Sequence, residues 1–131
     1  MPAEFKGKHR MPDPTTTVSA LREAMRRFVT ERDWEQFHSP KNLAMGLSVE
    51  AAELMEHFLW VSNEQSCDVA RDPARLGEVA DEMADVALYL LALSNTLGID
   101  LSDAITNKLA KTALKYPVER CRGRHTLDPT Q

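Results

Sequence analysis

The stretch Asp72–Gly98, DPARLGEVADEMADVALYLLALSNTLG, reads as one long amphipathic helix. Asp72 offers a carboxylate to cap the first turn, and Pro73 stands where a missing N–H costs nothing. Leu76, Val79, Met83, Val86, Leu90 and Leu93 recur at three- and four-residue spacing, the mark of one apolar helical face. Gly98 supplies the stop. The spacing therefore predicts a helix over 73–97.

The same signals repeat on either side. Downstream, Asp100 and Ser102 are cap candidates for a helix that runs to Tyr116 and ends at Pro117. Upstream, Ser39-Pro40 opens a helix to about Val61, with Leu43, Leu47, Leu54 and Phe58 as its buried stripe. Before it, the hydroxyls of Thr15–Thr17 precede a helix to about Arg32, carrying Val18, Leu21, Met25 and Phe28 on one side. The connector 33–39, DWEQFHS, is polar and aromatic, and 62–72, SNEQSCDVARD, reads as a polar loop. Four amphipathic helices with little strand signal indicate an all-α four-helix bundle. The expected organisation is one domain over 15–117, with a flexible arm at 1–14 and a flexible tail at 118–131.

Composition narrows the function classes. The 131 residues carry 16 Lys+Arg against 20 Asp+Glu, a formal net charge of −4, which argues against polymeric nucleic acid as a partner. Five glycines and 6% aromatics are few for a sandwich or barrel. No run of about 18 apolar residues exists, so no membrane span is expected. Two cysteines, Cys67 and Cys121, make no disulfide framework and suggest reduced thiols in a cytoplasmic protein.

The acids are arranged in a way that the net charge hides. Glu50-Ala-Ala-Glu53 lies in the second predicted helix, and Glu82-Met-Ala-Asp85 in the third. Residues three apart share one side of a helix. Glu50 falls among Leu43, Leu47 and Leu54; Glu82 falls in line with Val79, Val86 and Leu93. One acid of each pair thus points where the apolar stripe points. Unpaired carboxylates are costly to bury, and these faces carry few basic residues. A divalent cation is the better partner, and an all-oxygen donor set suits Mg²⁺, with Mn²⁺ as a substitute. A di-iron bundle would want Glu-x-x-His on two helices. The chain has one such string, Glu35–His38, and it lies in the connector.

The pair Glu50-x-x-Glu53 and Glu82-x-x-Asp85, with SPKNLAMGLSVEAAELMEHFLW before and around the first and EVADEMADVALYLLALSNTLGIDL around the second, resembles the MazG-like nucleotide pyrophosphohydrolases. Lys108 and LKYP (114–117) follow in the family's order, and ERDWEQFHSPKNL (31–43) is similar to its dCTP pyrophosphatase-like branch. The resemblance spans roughly residues 18–120. It implies an all-α, Mg²⁺-dependent hydrolase that converts a nucleoside triphosphate to the monophosphate and pyrophosphate. It makes Glu50, Glu53, Glu82 and Asp85 the metal ligands and catalytic carboxylates, with Glu53 as candidate general base. It also implies substrate contacts from Trp34, His38, Trp60, Lys108, Thr112, Lys115 and Tyr116, and assembly as a homodimer or homotetramer.

Two positions depart from the family pattern. Thr112 stands where many members have Asn, and Met25 where animal members have His. Both lie on the side expected to read base or sugar. The competing expectations are a non-enzymatic helical dimerisation or regulatory module, and a related enzyme acting on another pyrophosphate substrate such as phosphoribosyl-ATP.

Overall fold

A computed structural model of the chain describes residues 10–124. Residues 1–9 of the expected arm and 125–131 of the expected tail lie outside the described residues. The helices are α1 (Val18–Thr30), α2 (Pro40–Glu56), α3 (Asn63–Ser66), α4 (Pro73–Leu97), α5 (Leu101–Lys115) and α6 (Val118–Cys121). Among the described residues there is no strand. The all-α expectation holds, and the four long helices start where the spacing placed them; α2, however, stops at Glu56 rather than running to about Val61, so Phe58 lies in the turn beyond it and not on its stripe. Two short helices, α3 and α6, add to the four of the expected bundle, and a 3₁₀ turn over Cys67–Arg71 follows α3.

The caps explain the boundaries. Thr17 accepts from the Ala20 N–H, Ser39 from the Asn42 N–H, and Asp100 from the Asp103 N–H. Asp72 accepts from the N–H groups of both Ala74 and Arg75. Of the two candidates for the α5 cap, Asp100 does the work. Gly98 ends α4 in the left-handed region at φ 65°, where a residue without Cβ is unstrained. The segment expected as a loop after α2 is ordered by a capping box: Ser62 and Gln65 satisfy each other's backbone N–H, which nucleates α3.

Contacts divide the chain at Gly98/Ile99 into two compact units. In the first, α2 and α4 form the most extensive helix pair and α1 packs on α4. Its core is Val29, Leu43, Val69, Val79, Leu91 and Ala92. Several expected core positions are exposed in the single chain: Leu21, Leu76, Met83 and Leu90. Met45, Val49, Met55 and Leu59 are exposed as well. The apolar stripes are therefore wider than one chain's own core. The second unit holds α5 and α6, where Ile105, Leu109 and Leu114 are exposed. No single helix among the described residues is long and apolar enough to cross a membrane. Both cysteines are free.

Candidate active site

The α2–α4 contact builds the site. Gly46 lets the two helices approach: a Cβ there would come within 2.6 Å of Tyr89 Cζ. Gly46 precedes Glu50 by one helical turn, and Tyr89 follows Asp85 by one turn, so the close approach sits on the faces that carry the acids.

Glu50, Glu53 and Glu82 converge. Each offers a carboxylate oxygen, and these atoms lie within 4.8 Å of one another. Glu50 and Glu82 are half-buried and Glu53 is exposed. Glu50 Oε2 and Glu82 Oε2 are buried without a hydrogen-bond partner. Burial holds the Glu50 carboxyl above its usual range, and Glu53, Asp85 and Glu82 push it the same way. Burial also raises Glu82, with Glu53 and Asp85 adding to the effect and His57 opposing it. Asp85 is not in the tightest group, yet its charge acts on both buried acids. Acid–acid contacts of this kind become favourable only through a shared proton or a cation. Two orphaned buried oxygens, a third carboxylate in reach and an all-oxygen donor set fit a hard divalent ion.

The other expected residues are spread out. His38 lines a pocket of about 380 Å³ together with Arg26, Val29, Thr30, Glu35, Ala92, Asn95 and Thr96. Trp34 packs edge-on against Phe28, with ring centroids 5.7 Å apart, and stays partly exposed. Trp60 is 92% exposed, beyond the end of α2. Lys108, Thr112 and Lys115 recur at four- and three-residue spacing on one face of α5, in the second unit. Tyr116 follows, with Lys115 Nζ 5.3 Å from its ring centroid.

Sequence reasoning missed the pocket's polar wall. Arg22 donates from Nε to Asn95 Oδ1 at 3.0 Å, and Asn95 Nδ2 donates back to the Arg22 carbonyl at 2.9 Å. Arg26 Nη2 donates to the same Asn95 oxygen at 3.2 Å and is also paired with Glu23. The available signal was the polar triplet Ser94-Asn95-Thr96, which follows the apolar run LLAL (90–93) inside the same helix. His57, whose charge reaches Glu82, gave no such signal.

An all-α chain with paired acids converging between two long helices defines a class of acidic-centre helical proteins. Within that class the chain belongs to the MazG-like family, whose pattern matches residues 46–126. It is 37% identical over 110 residues to mouse dCTP pyrophosphatase 1, which covers 84% of this chain and 65% of that protein. The human dCTP pyrophosphatase 1 is 34% identical over 109 residues, covering 83% of this chain and 64% of that one. The chain thus spans somewhat under two thirds of the length of these curated relatives. A crystal structure of a pyrophosphatase from Archaeoglobus fulgidus superimposes with a TM-score of 0.72 at 37% identity, covering 82% of this chain and 99% of that one.

Proposed function

We propose that this chain is a Mg²⁺-dependent nucleoside triphosphate pyrophosphohydrolase that takes a deoxynucleotide, dCTP foremost, to its monophosphate and pyrophosphate. The observation that carries the reading is the convergence of Glu50, Glu53 and Glu82, with two buried carboxylate oxygens left unpartnered. The names of the curated relatives support the substrate class.

Glu50, Glu53 and Glu82 would hold the ion, with Asp85 adding charge or a fourth ligand. Bound Mg²⁺, or Mn²⁺ in its place, supplies neutralisation of triphosphate charge and orientation of the attacking water. The water oxygen attacks the α-phosphorus in line, the bridging bond to the β-phosphate breaks, and pyrophosphate leaves. Glu53, the exposed member of the group, takes the water's proton. Buried Glu50 and Glu82 stay fixed between α2 and α4 and orient the centre. Trp34, His38 and Trp60 serve the base end. Lys108, Thr112, Lys115 and Tyr116 serve phosphate and sugar, the lysines as point charges.

The catalytic domain is 15–117, with 1–14 and 118–131 as extensions. The enzyme works in the cytoplasm on a free nucleotide, without polymeric nucleic acid or membrane. It is a homodimer or homotetramer, a reading supported by the exposure of Met45, Val49, Met55, Leu59 and Trp60, which a second copy would cover. The test is pyrophosphate release from a panel of deoxy- and ribonucleoside triphosphates, with phosphoribosyl-ATP included. Orthophosphate as the sole product, or turnover of phosphoribosyl-ATP alone, overturns the reading.

A further inference from the structure

The register of α2 against α4 continues past the acids. Gly46 lies against Tyr89, and Glu53 meets Glu82, so residue numbers rise along α2 as they fall along α4. The same register sets Glu50 opposite Asp85, and Asp85 is among the charges that act on Glu50. One turn beyond Glu53 stands His57, at the level of Glu78 and one turn from that of Glu82. His57 caps α2 with helical dihedrals, φ −61° and ψ −19°, so its side chain continues the helix face. Seven residues separate it from Glu50, which brings the two within about 20° of one another around the axis.

His57 is half-buried, and its ring nitrogens make no hydrogen bond among the described residues. It stands outside the group whose oxygens converge. Yet among the described residues whose charge acts on Glu50 or Glu82 it is the single basic one; the others are Glu53, Glu82 and Asp85. The acids that face it are Glu53 on its own helix and Glu78 and Glu82 on α4. Glu82 Oε2 is buried and has no donor. A carboxylate that gives one oxygen to an ion still needs a donor for the other when that oxygen is buried. Carboxylates on a metal are commonly held in this way, and the groups that hold them set how well the ion binds.

We propose that His57 is a positioning residue whose ring N–H holds the Glu82 carboxylate in the orientation that a divalent ion requires. The role rests on the metal reading of the acid group above and adds the residue that orients it. A lysine or arginine at this point would bring a permanent positive charge to compete with the ion. An imidazole donates an N–H without one.

The test is Mn²⁺ binding by the full chain, read from the free-ion signal in electron paramagnetic resonance. His57→Leu removes the donor at similar size, and His57→Gln restores an N–H at similar reach. Mn²⁺ is expected to bind about 10–100-fold more weakly to His57→Leu, and His57→Gln is expected to recover most of that loss. Helicity and the metal-free melting temperature are followed in each variant, and His57→Ala takes the place of His57→Leu should the latter not fold. A residue that only packs would leave the leucine and glutamine variants alike in Mn²⁺ affinity. Unchanged or tighter binding in folded His57→Leu, or a loss in His57→Gln as large as in His57→Leu, overturns the proposal. Nitrogen coupled directly to bound Mn²⁺ would make His57 a ligand and overturns it as well. Should the wild-type chain bind no Mn²⁺, the metal reading itself fails, and the role of His57 with it.

Discussion

Gly46 lies directly beneath the ring of Tyr89, so close that a Cβ on Gly46 would overlap the ring edge. This contact sets how near α2 and α4 run where the acids meet. Filling it forces the ring or the helix aside. Gly46→Val is expected to cost about 1–3 kcal/mol by overpacking. Tyr89→Ala in the same background should return much of that cost, a coupling that a double-mutant cycle in denaturant measures.

The caps make an independent claim about stability. Asp72 holds two backbone N–H groups at the start of α4, the helix that carries Glu82 and Asp85. Asp72→Ala should lower unfolding free energy by about 0.5–2 kcal/mol, read from the urea midpoint.

The raised carboxyls predict a pH dependence with a defined sign. Glu50 and Glu82 sit above their ordinary pKa of 4.5 in the folded chain. Unfolding lowers them, so the metal-free native state binds more protons than the unfolded state. The penalty is full above the raised values and vanishes below about 4.5. These two groups therefore make the chelator-treated protein gain stability as pH falls from neutral toward 5. Melting curves in a chelator and in Mg²⁺ check this, and Mg²⁺ should remove the gain by stabilising the charged form.

Trp60 tests assembly. A tryptophan 92% exposed at the end of α2 is expected to be covered by a second copy. Trp60→Glu should shift the sedimentation profile toward smaller species while helicity persists.

The long helices were legible because their caps and periodicity agree: Asp72-Pro73 and Gly98 bracket α4 in sequence as in space. The pairing of Glu50 with Glu82 was legible too, since carboxylates in an apolar stripe must meet a partner. The short helix α3 was not, because its capping box lies within a segment without apolar periodicity. The exposure of Met83 and Leu90 was hidden because periodicity marks an apolar face without saying whose surface covers it. In the sequence Arg26 belongs to no motif, and Glu35 stands out only as the start of the lone Glu-x-x-His string. Only the fold brings them to one pocket, through an Asn95 far away in sequence.

The acids between α2 and α4 are expected to run a pyrophosphate-releasing hydrolysis. Its most direct test is steady-state pyrophosphate release from dCTP with Mg²⁺, comparing the wild-type chain with Glu53→Gln and Asp85→Asn. The expected result is release in the wild type, a loss of at least about a hundredfold in Glu53→Gln and of about 10–100-fold in Asp85→Asn, with helicity kept. Undiminished release by both variants, or orthophosphate as the only product, would contradict the account.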